Sequence, residues 1–95
     1  MPLFALVGRD GPRGAELRRL HREAHLARLR ELADAGRLLF AGPLCTPDGS
    51  PCGSLVIFEA DDLAAARAVA EGDPYVTEGV FTSFEVLETR RVLPS

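Results

Sequence analysis

The longest part of the chain without glycine or proline runs from residue 15 to residue 35. Leucine recurs within it at positions 17, 20, 26, 29 and 32, and Gly36 follows as a C-terminal stop signal. We therefore predict one long helix from Ala15 to about Ala35. Any fold of these 95 residues has to accommodate it.

Short apolar runs on both sides of this helix predict β-strands. LFALV at 3–7 is followed by the turn-rich GRDGPRG, and the turn-rich TPDGSP separates two runs that would pair as antiparallel strands. An alanine-rich segment, LAAARAVAEG, follows Asp61 and Asp62, either of which can cap a second helix that Gly72 closes. The strands predicted after the long helix are RLLFAGPL at 37–44, GSLVIFEA at 53–60 and GVFTSFEVLE at 79–88. The final RRVLPS is predicted to be a loose end or an arm that contacts a neighbouring copy.

The order β, α, β, β, α, β is that of the ferredoxin-like α+β fold, with one four-stranded antiparallel sheet. Both helices of that fold lie on one face of the sheet, so a water-facing second face should alternate apolar and polar residues. The strand sequences do not alternate in this way: Leu55–Phe58, Leu3–Val7 and Leu38–Ala41 contain no polar residue. We therefore predict a homodimer in which the uncovered sheet faces of two copies pack together.

The composition predicts a single domain over residues 1–95 that binds neither nucleic acid nor a membrane. Chains divide into several domains only at roughly two to three times this length. The net charge is −3, and glutamates interrupt the arginines of the long helix, whereas a nucleic-acid partner requires a concentrated basic face. No apolar run approaches the ~20 residues of a membrane span, and the N-terminus lacks a signal-peptide pattern, so a cytoplasmic location is expected. The chain has no lysine, which excludes Schiff-base chemistry at a lysine.

The only histidines, His21 and His25, lie four residues apart on the predicted long helix and so project from the same side. This spacing can chelate a metal ion, but no third ligand motif lies nearby, so no metal site is predicted. Arginines at 18, 22 and 28 and leucines at 29 and 32 surround His25 on the helix. Such a setting suits the rim of a pocket, where nearby positive charge favours the neutral, proton-accepting imidazole. The alternative is a partly buried histidine hydrogen-bonded to a backbone carbonyl.

Asp73 begins the DPY sequence of the segment GDPYVTEG at 72–79. An aspartate followed by proline is typical of a helix N-cap with proline at the first helical position, which accounts for Asp73 without any chemical role. Tyr75 is expected either to pack as an aromatic side chain or to offer its hydroxyl group. Cys45 and Cys52 flank the predicted hairpin turn, where a disulfide is geometrically conceivable, but a cytoplasmic location favours free thiols.

Several segments, in their order and spacing, resemble the YciI-like (YCII-related) family, whose members are small proteins of the dimeric α/β-barrel group. The most specific segments are HLARL around His25, AGPL at 41–44, GSLVIFEA at 53–60 and DPYVTEGVF at 73–81. The resemblance extends from the first predicted strand to the last. It implies a ferredoxin-like protomer and a dimer whose sheets pack face to face.

The resemblance also implies a site. In YciI-like proteins, a histidine on the first helix and the aspartate of the DPY motif are proposed to form a pocket dyad, and these positions correspond to His25 and Asp73, whereas His21 does not match. One carboxylate oxygen of Asp73 would then cap the helix while the other faces the imidazole. The residues expected to bind substrate are Arg22, Gly42, Pro43 and Tyr75.

Some relatives are linked to lyase, isomerase or dehydrochlorinase chemistry. The reaction that the resemblance implies here is proton transfer on a small anionic or phenolic compound, with no cofactor. His25 would act as general base or acid, and Asp73 would orient its imidazole. The rival expectation is a small-molecule-binding or accessory module that carries out no turnover.

Overall fold

A computed structural model describes all 95 residues and contains four strands and three helices. The sheet has the strand order β2-β3-β1-β4, and every neighbouring pair is antiparallel. This arrangement confirms the predicted ferredoxin-like α+β fold. The elements are β1 Leu3–Asp10, α1 Gly14–Asp34, β2 Leu38–Cys45, β3 Pro51–Glu59, α2 Leu63–Glu71, α3 Pro74–Thr77 and β4 Phe81–Thr89.

The helix ends follow local sequence signals. Asp62, and not Asp61, caps α2, because its carboxylate accepts a hydrogen bond of 2.8 Å from the backbone N–H of Ala65. Gly36 ends the turn after α1 with a φ of 73°, a conformation that glycine adopts at little cost. None of the three helices combines the length and the apolar character needed to cross a bilayer.

β1 is longer than the sequence predicts, because Gly8 does not end it. Gly8 and Arg9 continue to pair with β3 and β4, and Asp10 still pairs with Phe81 of β4. A Cβ atom at position 8 would lie 2.5 Å from the Phe81 ring. Glycine is therefore needed here for the close approach of a side chain rather than for a turn.

One face of the sheet packs against the helices and forms the core. Burial alternates along β1 and β3 although their sequences do not, with Phe4, Leu6, Val56 and Phe58 facing the helices. The main cluster consists of Phe4, Leu6, Leu29, Val56, Phe58, Ala60, Ala66, Ala70 and Val86, and a second cluster of Tyr75, Val80 and Phe81 lies beside it.

The opposite face of the sheet is apolar and uncovered by any helix. The strand register aligns Phe40, Ile57, Ala5 and Leu87 in one row across all four strands. Phe40 and Leu87 are each 51% exposed. The C-terminal residues 89–94 run beside this face and share a cavity of about 620 Å³ with its apolar side chains. In one isolated chain, much of this row contacts water.

Replacing Phe58 by alanine should destabilise the protein strongly. The Phe58 side chain has no exposed surface, and truncating a buried phenylalanine costs about 3–5 kcal/mol in the free energy of unfolding. Urea denaturation measures the difference. The matched control is Leu20→Ala, which truncates a side chain that is 67% exposed and should change the free energy of unfolding by only about 0.5 kcal/mol or less. Equal losses in the two variants would contradict the placement of Phe58 in the core.

Candidate functional site

The fold brings His25 and Asp73 together although 48 residues separate them in the chain. His25 projects from the middle of α1, and Asp73 is the residue immediately before α3. Nδ1 of the imidazole lies 2.7 Å from Oδ1 of the carboxylate. His25 and Asp73 are only 6% and 4% exposed. The partner of His25 is therefore a carboxylate and not a backbone carbonyl.

A single oxygen of Asp73 serves both the helix and the histidine. Oδ1 accepts the bond from His25 and also a bond of 2.8 Å from the backbone N–H of Tyr75, which caps α3. The expectation that the two oxygens would divide these roles is thus wrong. One carboxylate oxygen has lone pairs for two donors, so capping and orientation can share the same atom. The cap fixes the position of the oxygen that faces the imidazole.

This contact assigns the proton on the imidazole. An ionised carboxylate only accepts hydrogen bonds, so the neutral imidazole must carry its proton on Nδ1 and a lone pair on Nε2. Nε2 has no hydrogen-bond partner within the protein, yet no buried side-chain nitrogen or oxygen lacks one. Nε2 must therefore reach solvent. The arrangement leaves a proton-accepting nitrogen available at the surface of the cavity that His25 lines.

Tyr75 packs directly on the imidazole. The two rings are parallel within 4°, with their centroids 3.7 Å apart. The ring of Phe81 packs nearly perpendicular to that of Tyr75, with an interplanar angle of 89° and centroids 5.8 Å apart. Burial raises the pKa of Tyr75 above its usual 10.0, and this outweighs the opposing effect of the positive charges of Arg18 and Arg22. Tyr75 is 2% exposed, and since no fully buried side-chain oxygen lacks a partner, its hydroxyl oxygen, which forms no hydrogen bond in the protein, must keep some contact with solvent. Tyr75 therefore packs as an aromatic side chain and also has a hydroxyl group that forms no hydrogen bond in the protein, so the two alternatives considered from the sequence occur together.

A cavity of about 420 Å³ opens beside the imidazole, between α1 and the adjoining ends of β2 and β3. This volume lies within the range of small-molecule sites. The sequence-predicted residues Arg22, Gly42, Pro43 and Tyr75 all line the cavity together with His25. Asp73 does not line it and lies behind the imidazole. The remaining lining residues are Arg18, Arg19, Leu26, Leu29, Ala41, Pro51, Ser54 and Val56.

Arg18 is a component of the site that the sequence analysis missed. Its Nε and Nη2 donate to the two carboxylate oxygens of Asp10 at 2.7 and 3.0 Å, and Nη2 also donates to the carbonyl of Gly53 and to Oγ of Ser54. The guanidinium carbon lies 5.1 Å from the centroid of the Tyr75 ring. Burial by itself would lower the pKa of Arg18, but the bonds and charge of Asp10 outweigh it and raise that pKa.

The two-residue alternation of buried positions along β1 is the sequence pattern that could have predicted this ion pair. Asp10 continues the alternation of Phe4, Leu6 and Gly8, so its carboxylate belongs to the face that α1 covers once β1 is extended through it. Because the sequence predicts a turn at Asp10, it does not predict that this carboxylate faces α1. Ser54, whose Oγ accepts a hydrogen bond from Arg18, is buried at the cavity wall.

Other residues considered in the sequence lie outside this cluster. His21 does not line the cavity, and Arg28 turns away to donate to the carbonyl of Val69 near the end of α2. Cys45 and Cys52 are free thiols on the exposed hairpin. No group of three or more histidine, cysteine or acidic side chains is close enough to hold a metal ion.

Comparison with known proteins finds a family match over most of the chain. Residues 2–90 match the YCII-related domain. Protein YciI of Escherichia coli is 41% identical, in an alignment that covers 95% of this chain and 98% of that protein. An uncharacterised protein of Haemophilus influenzae is 38% identical, with 94% and 97% covered.

Two solved structures share the fold. A 5-chloro-2-hydroxyhydroquinone dehydrochlorinase of Burkholderia phenoliruptrix, TftG, in complex with 2,5-dihydroxybenzoquinone, superposes with a TM-score of 0.82, 28% identity and 94% of both chains covered. A NIPSNAP domain protein of Burkholderia xenovorans superposes with a TM-score of 0.54 at 12% identity, covering 100% of this chain and 98% of the other, and is similar in fold alone.

The tautomer of His25 should depend on Asp73. In the wild type we expect Nδ1 to carry the proton of the neutral ring, and in Asp73→Ala we expect a shift toward the Nε2-protonated form because the acceptor at Nδ1 is lost. Two-bond ¹H–¹⁵N correlations of the imidazoles report the protonated nitrogen directly. The spectrum of His21 serves as an internal control and should not change. A ring of His25 protonated on Nε2 in the wild type would refute the assignment.

Tyr75 should titrate above 10.0 in the folded protein, because burial favours its neutral form. The chain has one tyrosine and no tryptophan, so tyrosinate absorbance reports Tyr75 alone. A folded-state pKa above the unfolded value means that the resulting stability is present below about pH 10 and is lost as pH rises through the folded pKa. Tyr75→Phe should remove this alkaline loss of stability. A titration midpoint at or below the usual value would contradict the buried environment.

Proposed function

The chain belongs to the YCII-related family, and we propose that its His25–Asp73 pair transfers protons to or from a small anionic or phenolic compound without a cofactor. The observation that carries this proposal is the 2.7 Å hydrogen bond between Nδ1 and Oδ1, which leaves Nε2 without a partner in the protein on a residue that lines the cavity. A general base must lie within hydrogen-bond reach of the proton it removes. Nε2 is the atom that a substrate in the cavity would meet.

In this proposal each residue of the pair has a separate task. His25 takes the proton on Nε2 as the general base and returns it as the general acid. Asp73 holds the ring in the required tautomer and stabilises the imidazolium that forms when Nε2 is protonated. The helix cap restrains the carboxylate, and the stacked ring of Tyr75 restrains the imidazole plane. Preorganisation of this kind lowers the cost of reaching the reactive arrangement.

The expected substrate-binding residues are at the cavity wall. Arg22 would attract an anionic group, and Gly42 and Pro43 would form the apolar side opposite α1. Tyr75 would present its hydroxyl group to the substrate. The volume of about 420 Å³ is sufficient for a compound of one ring.

The similarity to the dehydrochlorinase supports the reaction class. That enzyme is 28% identical over 94% of this chain, and its structure holds 2,5-dihydroxybenzoquinone, a small oxygen-bearing ring. Removing hydrogen chloride from a ring requires movement of a proton. A lyase, isomerase or dehydrochlorinase reaction started by His25 therefore fits both the pair and the relative.

Proton transfer can be tested without knowing the overall reaction. Small phenolic and lactone compounds incubated with the protein in D₂O should exchange an acidic C–H proton, and ¹H NMR measures the rate. His25→Ala should slow this exchange about 10²–10⁴-fold, the usual contribution of a general base. His21→Ala is the matched control, since His21 lies on the same helix outside the cavity. Equal rates in wild type and His25→Ala would remove His25 from the mechanism.

The burial of the pair favours a second candidate, a small-molecule-binding or accessory module without turnover. Asp73 caps α3 and fixes His25 whether or not chemistry follows, so both residues also have a structural task. Ligand binding in the cavity without proton exchange in any compound tested would favour this candidate over catalysis.

We also propose that the protein forms a homodimer through the open faces of two sheets. The apolar row of Phe40, Ile57, Ala5 and Leu87 supports this assembly, because a second copy would remove it from water. The catalytic cavity lies on the opposite, helix-covered side of the sheet. It would stay open in such a dimer.

Leu87→Lys should disrupt this dimer. Leu87 is 51% exposed in one chain, so a lysine fits the protomer but would bury a charge between two sheets. Light scattering should give twice the 10.2 kDa chain mass for the wild type and a shift toward a single chain for the variant. Leu20→Lys, on the exposed side of α1, is the control and should remain dimeric. A monomeric wild type would contradict the proposal.

A further inference from the structure

The cavity beside His25 is positively charged although the whole chain carries a net charge of −3. Three of the 13 residues that line it are arginines, at positions 18, 19 and 22, and none is an aspartate or glutamate. An anion entering the cavity meets no carboxylate at the wall.

The three arginines differ in their partners. Arg18 is engaged by Asp10, which offsets its charge and holds it in place. Arg19 and Arg22 form no salt bridge and no side-chain hydrogen bond with any residue of the chain. Both are exposed at the rim of the cavity. The arginines of the cavity that no carboxylate binds directly are therefore Arg19 and Arg22.

On α1, Arg22 lies about one turn before His25, and Arg19 lies nearly two turns before it. Arg22 precedes His25 by three residues on α1, or about 4.5 Å along the helix axis, and residues three apart share a helix face. Leu26, Leu29 and Val56 supply an apolar wall of the same cavity. The site therefore combines a charged rim, an apolar wall and a basic nitrogen around one cavity.

We infer that the natural ligand carries an oxyanion, such as a carboxylate or phosphate, which Arg19 and Arg22 bind at the rim while its ring lies against the apolar wall. The planar guanidinium group matches a two-oxygen anion with paired hydrogen bonds. The inference rests on the proposed function in that it assigns this ligand to the cavity where His25 would act. It makes Arg19 a specificity residue alongside Arg22, and it gives Arg18 a positioning task.

Benzoate and benzamide test this inference, because they have the same ring and nearly the same shape but only benzoate is charged. ¹H–¹⁵N chemical-shift titration of the full chain should give a dissociation constant at least tenfold lower for benzoate than for benzamide. Arg19→Gln and Arg22→Gln should each weaken benzoate binding about tenfold and leave benzamide binding unchanged. Glutamine has a helix propensity similar to that of arginine, so α1 should persist. Phenyl phosphate distinguishes a carboxylate site from one that also accepts phosphate.

Arg30→Gln is the matched control, because it removes the same charge from an exposed position of the same helix outside the cavity. It should leave benzoate binding within about twofold of the wild type, since charge at that distance is largely screened. Equal affinity for benzoate and benzamide, no binding of either, or equal losses in Arg30→Gln and Arg22→Gln would overturn the inference.

The outcome also separates this inference from the proposed proton transfer. Benzoate binding that depends on Arg19 and Arg22, with no proton exchange in any compound, would leave the anion site standing and remove the catalytic role. Proton exchange that depends on His25, with no preference for benzoate over benzamide, would support the catalytic role and remove the anion site. His25→Ala should still bind benzoate, because the rim arginines do not depend on the imidazole.

Discussion

The hydrogen bond between His25 and Asp73 connects the two parts of the structure on which the site depends. It joins the middle of the long helix α1 to the start of the short helix α3, 48 residues later. The same carboxylate oxygen holds the first turn of α3 through the backbone of Tyr75, and the Tyr75 ring packs on the imidazole. The α3 cap made by Asp73, the stacked ring of Tyr75 and the imidazole of His25 are therefore connected to one another. A change in any of them alters the position of the others.

The site is organised by charge as well as by this bond. Asp10 and Arg18 tie β1 to α1 at the cavity wall, and their charges offset one another. The exposed Arg19, which directly follows Arg18, and the exposed Arg22, about one turn further on, form no salt bridge. The cavity is thus divided between a fixed ion pair that positions the wall and free cations that can meet an anion. The net charge of −3 does not indicate this arrangement of charges at the cavity.

Periodic patterns explain why most of the fold is predictable from sequence. Uninterrupted helix-forming residues specify α1, and the turn-rich hairpin segment specifies the pairing of β2 with β3. The pairing of His25 with Asp73 was expected only from the family resemblance, because no local pattern links residues 48 positions apart. Gly8 does not end β1 as the sequence predicts, since its close contact with Phe81 depends on tertiary packing. Because β1 is not predicted to extend to Asp10, the sequence predicts neither the ion pair of Asp10 with Arg18 nor the place of Arg18 in the site. The shared use of one oxygen of Asp73 is likewise a matter of geometry that composition and spacing do not encode.

The central claim is that His25 and Asp73 act in proton transfer as a pair. A double-mutant cycle on the rate of C–H proton exchange tests it most directly, using His25→Ala, Asp73→Asn and the double variant. If Asp73 acts only through the imidazole, the double variant should be no slower than His25→Ala, because the carboxylate has nothing left to orient. Losses that multiply in the double variant would show that the two residues act independently and would contradict the account.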